Sequence, residues 1–344
     1  MTTTDTTQDL ARARRIVAPF VDLYPFEHRF LAVGGGALHY VDEGPRTGHA
    51  VVAVHGNPTW SFAWRHLIAG LTAGGDAPVA AAHEGAPPAA PAPGAPRRVI
   101  ALDHLGMGLS SRPDRPVRLA EHIDNLVALV DHLGLEDVTL ACHDWGGAIG
   151  FGAALARRKV FSRFLVMNTA AFPSSFMPKR IALCRGRRLG ALLVRGLNGF
   201  AWPATRMTTV KRLDARVRAA YLAPYSNWAE RRQVHEFVRD IPMAVEHPSW
   251  ATLCGIADHL DDLRGLPLSI VWGERDWCFD ATFRSGWQQR FPAAKVRMLK
   301  DAGHYVFEDA PGAVLEALRE LLQMSLHGAT KWTPRHSLAE RDDA

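Results

Sequence analysis

Three residues far apart in the chain, Asp144, Asp276 and His304, follow the order nucleophile, acid, histidine. That is the order of a triad whose members sit at the ends of successive strands in an α/β sheet. Asp144 stands in Leu140-Ala141-Cys142-His143-Asp144-Trp145-Gly146-Gly147-Ala148-Ile149-Gly150. An apolar run ends there, the chain turns at an acid, and it leaves as a helix of small residues. The layout pushes one side chain out at the top of a sheet, and the glycines let helix and strand approach closely. A carboxylate at the apex is poorly suited to plain ester hydrolysis. It suits attack at an sp3 carbon, which leaves an alkyl ester on the enzyme that must later be resolved. Resolution by water needs a base and an acid to orient it. His304, in Asp301-Ala302-Gly303-His304-Tyr305, and Asp276, in Trp272-Gly273-Glu274-Arg275-Asp276, meet those needs, with Glu274 and Asp280 competing for the acid role. The departing group also needs donors for its negative charge. The indole N–H of Trp145 and the amide of Asn57, in His55-Gly56-Asn57-Pro58, are the candidates. His55, His104 and His143 read instead as histidines that hydrogen-bond backbone around their turns.

These residues need a scaffold. Val51 to Val54, Val99 to Leu102, Val138 to Leu140, Phe164 to Asn168, Leu268 to Trp272 and Lys295 to Leu299 read as strands, most of them continuously apolar. Such strands are buried on both faces. Helical spacing separates them, as in Ile123, Leu126, Val127, Val130 and Leu133, with Gly134 as the stop. The alternation predicts an α/β fold with a mostly parallel sheet and helices on both faces. Phe26 to Val33 and Ala37 to Asp42 form a hairpin around three glycines. His55, Asp103, Asp144, Asn168, Asp276 and His304 all fall at or just after strand ends, where ligands bind in such sheets. From 172 to 248 the strand signal gives way to Arg-rich, aromatic helical segments, expected to be a helical cap inserted in a core of 16–171 and 249–326. The Ala/Pro-rich stretch 73–97 is expected to be a mobile insertion, and 1–15 and 327–344 to be loose tails.

With 344 residues, 47% of them hydrophobic, the chain has enough apolar material for a large core. Its four cysteines, Cys142, Cys184, Cys254 and Cys278, lie far apart with no metal-type spacing. They read as reduced thiols, and the N-terminus lacks the apolar core of an export signal, so the expected location is cytoplasmic. No apolar run approaches the roughly 20 residues that span a bilayer. The net charge of +5 is concentrated: Lys179 to Arg218 carries eleven bases and one acid, Asp214. A solvated basic face is the plainest reading, which leaves room for peripheral membrane contact or an acidic partner. Without a recognition motif it does not point to nucleic acid. The chemistry asks for no cofactor and no metal.

Taken together, His55 to Phe62, Asp103 to Gly108, His143 to Gly147, Asp276 and Ala302-Gly303-His304 resemble the haloalkane dehalogenase group of α/β-hydrolases. The resemblance implies Asp144 as nucleophile, His304 as base, Asp276 as acid, and Asn57 with Trp145 as anion donors. Some members of that group place a Glu after the strand that here ends in Asn168, so the acid is expected in the later loop. Asn168 to Phe172, Leu192 to Asn198, Tyr221 to Tyr225 and Asp240-Ile241-Pro242 look like the β-lactone decarboxylases of bacterial long-chain olefin biosynthesis. That branch implies a β-lactone with two long alkyl chains as substrate and an assembly with other olefin-pathway enzymes. A hydrolytic haloalkane dehalogenase is the alternative. An epoxide hydrolase is a second, and it would need Tyr221 and Tyr225 as acids. A non-catalytic scaffold that holds a hydrophobic partner or lipid is the reading from another class.

Overall fold

The structure is a computed structural model that describes residues 3–46, 48–72 and 96–324. The stretch 73–95, which holds most of the Ala/Pro-rich segment, and the tail beyond 324 lie outside the described residues. Eight strands form one sheet: β1 (Arg29–Val33), β2 (Gly36–Glu43), β3 (Ala50–Val54), β4 (Arg98–Leu102), β5 (Val138–Asp144), β6 (Phe161–Thr169), β7 (Leu268–Gly273) and β8 (Lys295–Leu299). Their spatial order is β1-β2-β4-β3-β5-β6-β7-β8. The hairpin β1–β2 and the β2–β4 pair are antiparallel, and every later pairing is parallel. Strands β3 and β4 are buried along their whole length, as their unbroken apolar sequences require.

The principal helices of the α/β core are α2 (Arg65–Thr72), α3 (Leu119–His132), α4 (Trp145–Ala156), a helix at Ala281–Arg290 and another at Pro311–Gln323. Helix α4 is composed of small residues because it must lie against the sheet. A Cβ at Gly146 would come within 2.0 Å of Val54 O, so only glycine fits where α4 passes the end of β3. Between β6 and β7 the described chain forms helices joined by turns and loops, including Lys179–Cys184, Leu189–Ala191 running into a π turn at Leu192–Gly196, Ala201–Met207, Ala215–Leu222, Arg232–Arg239 and Trp250–His259. These helices lie over the C-terminal ends of the strands.

The N-terminus departs from expectation. Residues 1 to 15 read as a loose polar tail, but α1 runs Thr3–Val17. Ala13 and Val17, one turn apart, are buried in the core. Arg12 pairs with Glu230, and Ser111 Oγ donates to Asp9 Oδ2 at 2.8 Å. Tertiary contacts, not local propensity, supply the helix's stability.

Candidate active site

The turn between β5 and α4 places Asp144 at φ 53°, ψ −126°, outside the ordinary regions for a residue with a Cβ. The strain holds the carboxylate out of both the strand and the helix. Its Oδ1 accepts the backbone N–H of Asn57 at 2.7 Å, and the backbone N–H of Trp145 also donates to the carboxylate. The loop after β3 supplies the first donor and the first residue of α4 the second. A Cβ on Gly56 would lie 2.2 Å from Asp144 Oδ1, so glycine lets this loop reach the carboxylate. Burial pushes the Asp144 pKa up from its ordinary value, against the opposing pull of His304 and the two N–H donors.

His304 follows β8 in the loop before Val306–Asp309. Its Nδ1 bonds Asp276 Oδ2 at 2.8 Å, and its Nε2 stands 3.7 Å from Asp144 Oδ2. The first contact makes Nδ1 the protonated nitrogen and turns Nε2 toward Asp144. Burial works against the imidazolium, but Asp276 and Asp144 outweigh it, and the His304 pKa is raised. The ring lies between Phe279, nearly parallel at 5.7 Å, and His143 at 4.4 Å. His143 Nε2 bonds His304 O at 2.9 Å, and burial holds the His143 pKa far below its usual value, so His143 is neutral.

The structure brings together all five residues singled out in the sequence. Asp276 is buried after β7, with its Oδ1 taking the N–H of Cys278 at 2.6 Å. Its competitors are elsewhere: Glu274 is exposed, and Asp280 caps the helix Ala281–Arg290 through the N–H of Thr282. Asn57 donates through Nδ2 to Val234 O at 3.0 Å, which leaves the amide's second proton free to face the cavity that Asn57 lines. Among the described residues the Trp145 indole N–H has no protein acceptor, and Trp145 lines the same cavity. His55 and His104 hydrogen-bond backbone around the turns, with His55 Nδ1 on Gly56 O at 2.7 Å and His104 Nε2 on His55 O at 2.8 Å.

One residue has more weight than its sequence suggested. Asn168 ends β6 at φ 36°, donates to Asp276 Oδ2 at 2.9 Å, and accepts from Gly273 N at 2.9 Å. It fixes the acid. Its place at a strand end was the available signal, but the pairing with Asp276 depends on how β6 and β7 are packed.

The cavity over Asp144 has a volume of about 130 Å³. Its walls are mainly apolar, with Phe172, Phe176, Met177, Ile181, Met243, Leu253 and Phe283 among the lining residues. Tyr221 and Tyr225 are not among them. The Tyr221 hydroxyl donates to Glu308, and that of Tyr225 donates to Thr59 O at 3.0 Å. An epoxide hydrolase would need these two as acids facing substrate, and neither does.

Residues 49–311 match the family described as having the alpha/beta hydrolase fold. The chain is 39% identical to a cis-3-alkyl-4-alkyloxetan-2-one decarboxylase of Xanthomonas campestris pv. campestris over 313 residues, covering 87% of this chain and 97% of that one. It is 30% identical to haloalkane dehalogenase 2 of Mycobacterium tuberculosis over 305 residues, covering 88% and 97%. Among solved structures, a variant of the haloalkane dehalogenase DatA from Agrobacterium tumefaciens superposes with a TM-score of 0.74 at 21% identity, covering 89% of this chain and all of that one.

Proposed function

The chain belongs to the α/β-hydrolase family, and within it we propose an enzyme that converts cis-3,4-dialkyl β-lactones to long-chain cis-alkenes and CO2. Asp144 is the nucleophile. One of its oxygens bonds to the ring carbon that bears oxygen, and the ring C–O bond breaks. The released electron pair becomes a carboxylate, which takes hydrogen bonds from the Trp145 indole and the free Asn57 amide proton. The C–CO2 bond then breaks, its electrons form the alkene, and the bond from carbon to Asp144 breaks in the same step. CO2 leaves and Asp144 is again a carboxylate. No water is consumed. His304, whose pKa is raised by Asp276 and Asp144 against the opposing effect of burial, stands beside the departing Asp144 carboxylate, and in its protonated form it steadies the returning charge.

The observation that carries this reading is Asp144 held at a strained turn at the base of an apolar cavity, with His304 Nε2 3.7 Å away. The name of the Xanthomonas relative supplies the substrate class. The cavity is comparable to one of about 150 Å³ that holds benzene. It accepts the ring and the first methylenes, and the alkyl chains run out past the helices that cover the strand ends. We read 172–248 as the cap that forms this roof. The assembly with other olefin-pathway enzymes expected from the sequence remains part of this proposal.

Incubating the purified protein with a cis-3,4-dialkyl β-lactone is the direct test. Alkene and CO2 in equal amounts are expected, and no turnover would end the proposal. The hydrolytic dehalogenase reading draws on the same two donors, Trp145 and Asn57. Sustained halide release from a bromoalkane run in parallel, with the lactone untouched, would favour it instead.

A further inference from the structure

We propose that the helical face between Phe176 and Trp228 docks on the surface of an anionic phospholipid bilayer. Two independent distributions meet there. Twelve large apolar side chains are exposed among the described residues, and ten of them lie between Phe176 and Val245, leaving only Val21 and Val296 elsewhere. The same region holds the eleven bases against one acid counted from Lys179 to Arg218. Among the described residues only Arg216 of these eleven forms an ion pair, with Asp22. Arg185, Arg195, Arg206 and Arg218 donate to backbone carbonyls, which orients them without neutralising their charge.

The apolar residues are placed for insertion and not for packing. On the turns Leu189–Ala191 and Leu192–Gly196, Gly190, Ala191 and Val194 face the protein while Leu189 and Leu192 stand outward. Leu197 is 70% exposed, Trp202 49% and Trp228 47%. The tryptophans are interleaved with arginine: Arg206 lies 3.7 Å from the ring of Trp202, and Arg195 lies 4.3 Å from the ring of Trp228. Indole and leucine projecting beside Arg and Lys is the composition of a face that sits at the headgroup boundary, its rings among acyl carbons and its guanidinium groups on phosphates. An acidic protein partner would match the charge but gives no reason for so many projecting leucines.

The cavity reaches the surface within this stretch. Phe176 is 41% exposed and also lines the cavity over Asp144, together with Pro178, Ile181 and Phe200. A docked face therefore puts the cavity opening against the bilayer, and a lipophilic molecule passes to Asp144 without crossing water. That last step rests on the function proposed above, but the docking does not.

Co-sedimentation of the full chain with vesicles separates the cases. The vesicles are phosphatidylcholine alone or with about one quarter phosphatidylglycerol, at about 0.1 M salt, where screening extends about 10 Å. Binding about tenfold or more tighter to the anionic vesicles is expected, lost at about 1 M salt. A Leu197→Glu, Trp202→Glu double variant and an Arg187→Glu, Arg188→Glu double variant should each weaken it by about tenfold. Val296→Glu, an exposed site on β8 at the edge of the sheet, should leave it unchanged, and all three should unfold at the wild-type temperature. Absence of binding to anionic vesicles overturns the proposal, as does an equal loss with Val296→Glu. Binding to soluble polyglutamate with vesicles ignored would overturn it in favour of an acidic protein.

Discussion

Asn168 Nδ2 and His304 Nδ1 converge on one oxygen, Asp276 Oδ2, at 2.9 and 2.8 Å. The amide at the end of β6 thus holds the acid at the end of β7 in the orientation that the imidazole requires. Asn168→Ala removes one of the two bonds to Oδ2 and leaves Asp276 held only by His304 and, through Oδ1, by the Cys278 N–H, which loosens its orientation. Turnover should fall about tenfold, the equivalent of about 1.4 kcal/mol for a lost buried hydrogen bond, with KM little changed. Asn168→Asp should be worse, because a second carboxylate beside Asp276 repels it. Steady-state kinetics on both variants checks this, and a KM effect alone would show Asn168 acting only on packing.

Asp144→Asn should abolish turnover and leave the fold intact. Burial raises the Asp144 pKa above its ordinary value of 3.8, so carrying the ionised carboxylate costs the folded state stability at pH values above the folded pKa. Replacing it with a neutral amide of the same shape removes that cost, and the melting temperature should be unchanged or higher. A clear fall in melting temperature would mean that the charge supports the fold, against this account.

The pH dependence separates the two chemistries. The folded His304 pKa lies above its ordinary value of 6.5. Its protonation therefore adds stability that is fully present below that value and is lost as pH rises through the folded pKa. For decarboxylation the imidazolium is the working form, and kcat should fall as pH rises through the same range. For hydrolysis the neutral imidazole must take a proton from water, and kcat should rise there. On the acid side both routes need ionised Asp144, so activity should fall at a pH above the ordinary carboxylate value of 3.8. A kcat–pH profile on the lactone, extended well to either side of neutrality, reads both limbs.

Much of this site was legible in the sequence because it rests on local patterns. An apolar run ending in Asp144 and followed by glycines specifies a strand, a turn and a helix without knowledge of the rest of the chain. Asp276 and His304 were found the same way, each just beyond an apolar run. What could not be read depends on contacts between distant segments. Asn168 shows no local sign that it will meet Asp276, 108 residues later. The helix at Thr3–Val17 could not be read from its polar sequence, because from Thr7 on only Ala13 and Val17 are buried, and their partners lie elsewhere in the chain. Tyr221 and Tyr225 could be placed in the helical region by sequence, but not turned toward or away from the cavity.

Tyr221 tests that last point. Its hydroxyl donates to Glu308, which also takes both guanidinium nitrogens of Arg65, and all three side chains are buried. The cluster joins Ala215–Leu222 of the helical region to α2 and to Val306–Asp309, just after His304. Burial opposes the ionised form of Glu308, but Arg65 outweighs it and the pKa stays below the usual carboxylate value. Glu308→Gln leaves a buried guanidinium without its counter-charge and should destabilise the protein by about 3–5 kcal/mol. Tyr221→Phe removes one bond to an already paired carboxylate. It should cost about 1–3 kcal/mol in stability, measured by denaturant unfolding, with turnover unchanged once the protein is folded. Loss of turnover in folded Tyr221→Phe would make this hydroxyl an acid facing substrate and reopen the epoxide hydrolase reading.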